Sequence, residues 1–128
     1  MEYFFNKQIE NITFDDAVEL TTNALSKEGF GVLTSIDMQA TLKKKLAVDI
    51  DQYLILGACN PPLAYKALQA EDKIGLMLPC NVIVQQKEGY IEVSAVDPTV
   101  SMQGIENANL GDTASQVQEK LKRVIESL

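Results

Sequence analysis

Apolar residues recur along the chain with two spacings, and these spacings predict alternating strands and helices. A helical spacing follows Thr13, whose hydroxyl can cap a helix, and it ends at Gly29, which suits a left-handed C-terminal cap. A second helical spacing begins at Thr113 and continues almost to the end of the chain. The pattern therefore predicts two long helices, over residues 13–28 and 113–127.

Alternating apolar and polar residues predict strands before and between these helices. The predicted strands cover residues 3–8, 30–38, 53–59, 80–87 and 90–96. Charged residues around the first strand suit a sheet edge. Along the second strand, Val32, Thr34 and Ile36 are expected to share one face. The third strand is apolar on both faces, which is typical of a central strand covered on both sides by helices or by a partner subunit.

Two short helices are predicted to connect the strands, near residues 39–46 and 61–70. In the first, Leu42 and Leu46 are expected to point inward and three lysines to point to solvent. Asn60 is the expected cap of the second, because an asparagine followed by proline is a favourable helix start.

The order of elements could suggest a parallel sheet. Against that, the first strand resembles an edge, the last two strands must form an antiparallel hairpin, and no glycine-rich phosphate loop follows a strand. We therefore predict an α+β fold, a single domain over residues 1–128, with a mainly antiparallel sheet of about five strands and both long helices on one face. Residues 99–111 have no clear period, so they form either a loop that packs across the sheet or a segment that orders on a partner.

Composition narrows the possible partners and locations. Of the 128 residues, 46% are hydrophobic and 23% are charged, which is the balance of an ordinary globular protein. A net charge of −7 disfavours nucleic acid and anionic lipid, and the lysine cluster 43–45 is best interpreted as a solvated face rather than a phosphate contact. No apolar run is long enough to cross a membrane and no signal peptide is recognisable, so a cytoplasmic location is expected.

The chain contains no histidine, which excludes a Ser-His-Asp triad, a Cys-His pair and every histidine-bearing metal site. It contains two cysteines, each followed by asparagine: Cys59-Asn60 at the end of the third strand and Cys80-Asn81 at the start of the fourth. If these strands are antiparallel neighbours, the two thiols lie close together; if the strands are parallel, the thiols lie at opposite ends. Cys59, Asn60, Cys80 and Asn81 are therefore the candidate ligand-binding residues, and their site depends on topology.

Three interpretations of this site remain open. The N-terminus of a helix favours a thiolate and could hold a reactive small molecule or a persulfide beside the two amide side chains. Two sulfurs alone suit linear Cu(I) better than zinc, with Met77 and Met102 as possible thioether ligands. Alternatively, both cysteines are small apolar packing residues, because free cysteine is among the most buried residue types. We name no metal and no cofactor as a component of this site.

Several motifs together resemble the domain of unknown function family 302. They are Gly29-Phe30-Gly31-Val32-Leu33, Asp37 to Leu46, Leu56-Gly57-Ala58-Cys59-Asn60-Pro61, Leu78-Pro79-Cys80-Asn81-Val82 and Asp97-Pro98. The resemblance implies a curved antiparallel sheet with helices on one side, similar in architecture to the TATA-binding protein, and a symmetric homodimer. It implies no DNA binding, since architecture alone carries no function.

The sequence therefore leaves the reaction, if any, undefined. It predicts a homodimeric domain with a small-ligand or thiol-chemistry site at the two Cys-Asn motifs. The alternatives are a non-catalytic dimeric binding module with structural cysteines and a soft-metal protein. Neither nucleic acid nor a membrane is expected as a partner.

Overall fold

The computed structural model describes residues 2–128. Its strands are β1 (Phe4–Ile9), β2 (Gly31–Asp37), β3 (Tyr53–Cys59), β4 (Cys80–Lys87) and β5 (Tyr90–Val96). Its helices are α1 (Phe14–Lys27), α2 (Met38–Leu46), α3 (Pro61–Ala70), α4 (Pro98–Ser101) and α5 (Gly111–Glu126), with a 3₁₀ helix at Asp72–Met77. No helix within residues 2–128 is both long enough and apolar enough to cross a bilayer.

The strands form one five-stranded sheet in the order β1-β5-β4-β3-β2. Every neighbouring pair is antiparallel. The predicted α+β fold with an antiparallel sheet is thus confirmed, and β1 is an edge strand as its flanking charges indicate. The centre of the sheet is β4, however, and β3 is the strand between β4 and the edge strand β2.

Helix α1 begins and ends where the sequence predicts. The Thr13 hydroxyl accepts a hydrogen bond from the backbone N–H of Asp16 at 3.1 Å. At the other end Gly29 has φ +85°, and the N–H of Phe30 donates to the carbonyl of Leu25 at 2.9 Å. This bond closes a Schellman cap, which a residue with a Cβ would form only with strain.

Helix α5 begins two residues earlier than predicted, at Gly111. The residue at its N-cap is Leu110, which offers no capping side chain, while Thr113 lies inside the helix and is buried. The reason is tertiary packing, because Leu110 is buried in a small second core together with Met102. Residues 99–111 are therefore neither a loop across the sheet nor structureless: they include the end of α4 and pack against α3, α5 and the 3₁₀ helix.

The main core lies on one face of the sheet. Helices α1 and α5 cover that face and contact each other. The fully buried residues include Ala17, Leu25, Val82, Val84, Ile91, Val93, Leu121 and Val124. On the opposite face, Tyr53 and Ile55 of β3 are only half-buried. The expectation that helices of the same chain cover both faces of β3 was therefore wrong, whereas cover of the open face by a partner subunit stays a prediction.

Strand β2 and helix α2 are the least buried part of the fold. A register shift between Val32 and Thr34 interrupts the expected alternation and leaves Leu33 67% exposed. Asp37 caps α2 through the N–H of Ala40, but the helix contains no buried residue. Leu46 was expected to point inward but is 66% exposed, although α2 contacts β2 and β3.

Candidate functional site

The end of β3 and the start of β4 lie side by side, as the cysteine site requires. The strands pair antiparallel, with Ala58 opposite Cys80 and Gly57 opposite Asn81. Both cysteines are free thiols; Cys80 is buried and Cys59 is half-buried. Both line one cavity between the sheet and helices α3 and α5. The topological condition on which the predicted site depended is therefore met.

Asn60 lines the same cavity, but backbone groups already engage its side-chain amide. Its Oδ1 accepts from the N–H of Leu63 at 3.3 Å, which caps α3 as predicted. Its Nδ2 donates to the carbonyl of Glu28 at 3.2 Å, at the C-terminal end of α1. A Cβ at Gly29 would lie 3.0 Å from this nitrogen. Asn60 thus joins two helix ends, and this structural role accounts for its position.

The cavity itself is small and mainly apolar. It has a volume of about 30 Å³. That is room for about one water molecule, whereas drug-sized ligands occupy roughly 300–1,000 Å³. The residues lining it are Phe30, Ala58, Cys59, Asn60, Leu63, Ala64, Ala67, Leu78, Pro79, Cys80, Pro98, Met102, Leu110, Thr113, Ala114 and Val117. In this conformation the cavity does not accommodate the predicted small ligand.

The chemistry of Cys80 also differs from expectation. Burial, with a smaller contribution from the charge of Cys59, raises the pKa of the Cys80 thiol from 9.0 to about 11. A reactive thiol has a lowered pKa, so the burial of Cys80 at the start of β4 acts against reactivity. At neutral pH Cys80 is therefore a protonated, weakly nucleophilic side chain, as expected of a packing residue.

Asn81 is separated from the other three candidate residues. Side chains alternate along β4, so Cys80, Val82 and Val84 face the core while Asn81 is exposed on the opposite side of the sheet. Asn81 lines a groove there with Tyr53. The structure thus brings together Cys59, Asn60 and Cys80 and places Asn81 elsewhere.

The groove on the open face of the sheet was not predicted. Its volume is about 450 Å³, within the range of small-molecule sites. It is lined by Tyr3, Phe4, Tyr53, Asn81, Ile83, Gln85, Glu92, Ser94, Ala95 and Val96. The alternation in β4 and β5 indicates which residues face outward. Only the pairing of β1 with β5 shows that Phe4, and Tyr3 just before it, join them.

A metal site finds limited support. Within residues 2–128, no group of three or more His, Cys, Asp or Glu side chains is placed to hold a metal ion. Met102 lines the cavity of the two cysteines, whereas Met77 is exposed and lies outside the lining. Binding of a soft metal therefore stays a prediction, in which Met102 would supply a thioether at the cavity.

These features define an α+β domain whose five-stranded antiparallel sheet has one helix-covered face and one open face. The chain belongs to the family described as "Domain of unknown function DUF302", whose model matches residues 5–128. This confirms the resemblance found in the motifs. No curated protein matches the chain.

A solved structure has the same fold. It is the crystal structure of an uncharacterised conserved DUF302 protein from Bacillus stearothermophilus, with a TM-score of 0.90. The two chains are 24% identical, and the alignment covers 98% of each. At this identity the likeness establishes the fold alone.

Proposed function

We propose that this protein is a non-catalytic, homodimeric binding module in which the two cysteines are packing residues. The main support for the proposal is the exposure of helix α2. The helix contains no buried residue, and exposed apolar side chains lie before and after it in the chain. We call α2 and the following residues 47–51 the arm. Exposed apolar side chains that cluster on one surface are typical of an association surface.

The arm and the adjoining edge strand present several large apolar side chains to solvent. These are Leu33, Ile36, Leu46, Val48 and Ile50. Burying them would remove the least favourable part of the surface from water. A second copy of the chain is a suitable partner, because a two-fold axis brings the same surface of both copies into contact.

The charges of the arm are consistent with such self-association. Lysines 43–45 lie close in sequence to Asp49 and Asp51, and the Lys43 ammonium contacts the Asp49 carboxylate at 2.9 Å. The arm therefore carries both signs of charge within an otherwise acidic chain. Two copies can pair lysines with aspartates in both directions, which an acidic surface elsewhere on the chain would not permit.

Sedimentation velocity tests the dimer. We expect the wild-type protein to sediment as a dimer at micromolar concentration and Leu46→Glu to sediment as a monomer, because the substitution places a charge in the proposed interface. Leu76→Glu is the matched control, since Leu76 is 84% exposed and lies away from the arm in the 3₁₀ helix. A wild-type monomer, or equal weakening by both variants, would refute the proposal.

The assignment of the cysteines is tested separately. Alkylation rates across pH should show slow modification of Cys80 at neutral pH, as expected of a buried, protonated thiol. Cys59→Ser and Cys80→Ser should leave dimerisation intact. Rapid alkylation of Cys80 near pH 7 would instead favour the thiol-chemistry hypothesis. The cytoplasmic location and the likeness to the TATA-binding protein stay predictions.

A further inference from the structure

We propose that the groove on the open face of the sheet binds a small organic cation, such as an amine with an apolar body. This inference goes beyond the dimeric module and does not require the dimer. The residues that line the groove do not include any of the exposed apolar residues of the arm.

The groove combines aromatic rings with a carboxylate. At one side Tyr3 and Phe4 pack edge to face, with ring centroids 5.1 Å apart. Tyr53, Gln85 and Glu92 form one row across three strands, because Tyr53 pairs with Gln85 and Gln85 pairs with Glu92. The rings therefore lie on both sides of the strands that carry the polar side chains.

Among residues 2–128, Glu92 is the only charged residue that lines the groove. It is half-buried, and it makes no ion pair with any Lys or Arg in the part of the chain that the structure describes. Lys87 pairs with Tyr90 in the next row and lies outside the lining. Lys7 is directed elsewhere, since its Nζ donates to the carbonyl of Glu126. The groove thus carries a negative charge that no lysine or arginine within residues 2–128 pairs with, although Lys87 lies diagonally across from it on the same face.

This combination is complementary to one class of ligand. Aromatic faces attract cations through their quadrupole, and a partly desolvated carboxylate adds a direct ion pair. Asn81 and Ser94 line the groove and add polar groups beside the apolar surface. An anion would be repelled by Glu92 and by the net charge of −7. A neutral molecule of the same shape would gain only the apolar contact.

Amide chemical-shift titrations with matched probes test the proposal. The probes are 2-phenylethylamine as the ammonium ion, 2-phenylethanol as its neutral analogue and 3-phenylpropanoate as the anion. We expect shifts confined to the strands around Tyr53 and Glu92, and an affinity for the amine about tenfold higher than for the alcohol. Glu92→Gln should abolish this preference, and Tyr53→Leu should weaken binding of the amine. Glu88→Gln, in the exposed β4–β5 turn, is the matched control and should bind as the wild type does.

Several outcomes would overturn the inference. They are equal binding of all three probes, an unchanged preference in Glu92→Gln, shifts located outside the groove, and no shifts at millimolar amine. If the groove is instead filled by the lysines of a second copy, the amine should bind only after Leu46→Glu has dissociated the dimer. That result would overturn the inference for the dimeric protein. Sedimentation of the same samples distinguishes failure of the ligand site from failure of the dimer.

Discussion

The two faces of the sheet differ in the space that they leave for a ligand, although alternate residues of the same strands form both faces. On the closed face, Cys80 and Val82 lie under helices, and the cavity beside Cys80 has a volume of about 30 Å³. On the open face, Asn81 and Ile83 line a groove of about 450 Å³. The contrast shows that an uncommon residue type is a weaker guide to a binding site than the space around it.

The comparison also separates two kinds of polar group. Asn60 on the closed side is 9% exposed, and backbone partners engage both ends of its amide. Glu92 on the open side lines the groove and makes no ion pair within residues 2–128. The first stabilises the fold, and the second is available to a ligand. The closed face should therefore respond to substitution through stability and the open face through binding.

The largest expected effect compares a leucine of the closed core with a leucine of the arm. Leu121 is fully buried, so Leu121→Ala should lower the free energy of unfolding by about 2–5 kcal/mol. Leu46→Ala should lower it by less than about 0.5 kcal/mol at a concentration where the protein is monomeric. Urea unfolding measures both. Similar losses would show that the arm is packed within one chain, contrary to the proposed role of α2.

A smaller effect concerns pH. Because the pKa of Cys80 is raised from 9.0 to about 11 in the folded protein, the unfolded chain loses this proton first as pH rises. The contribution of the thiol to stability is complete below pH 9.0 and is lost as pH rises towards about 11. The loss amounts to roughly 2 to 3 kcal/mol. Urea unfolding of the wild type and of Cys80→Ala at a series of pH values separates the contribution of Cys80 to stability from the contributions of other titrating groups. Parallel pH profiles for the two proteins would contradict the buried thiol.

The smallest effect concerns Asn60. Asn60→Ala removes the cap of α3 and the bond to Glu28, and should cost about 0.5–2 kcal/mol of stability. Asn60→Asp keeps the capping oxygen but loses the donor, so its loss should be intermediate. Thermal unfolding of the three proteins measures the order. If Asn60→Ala were fully stable yet changed the binding of the amine probe, Asn60 would belong to a ligand site rather than to the scaffold.

Local signals were sufficient to predict most of the fold. Thr13 and Gly29 mark the two ends of α1, and the alternation from Cys80 to Lys87 matches β4 residue for residue. The start of α5 was not predicted because Leu110 occupies the N-cap. Its side chain is buried in the second core, and no side-chain hydrogen bond caps the helix. That packing depends on residues distant in sequence, so no local sequence signal predicts it.

The candidate site was predictable in part. Antiparallel pairing placed Cys59 and Cys80 at one cavity, and strict alternation after Cys80 would already have directed Asn81 to the other face. The size of the cavity depends on how α3 and α5 pack, and the apolar pattern of the strands carries no information about that packing. The groove was not predicted for a similar reason, since Tyr3 and Phe4 join the residues of β5 there only through pairing of the first strand with the last.

That pairing also constrains the order in which the protein can form during synthesis. Strands β2 to β5 follow one another in the sheet as they do in the chain, so each can join its neighbour soon after leaving the ribosome. The first strand has to wait, because Phe4 pairs with Val96. Until then the aromatic N-terminal segment has no partner strand and is open to chaperones. The first strand of the domain therefore completes the sheet last, and with it one wall of the groove.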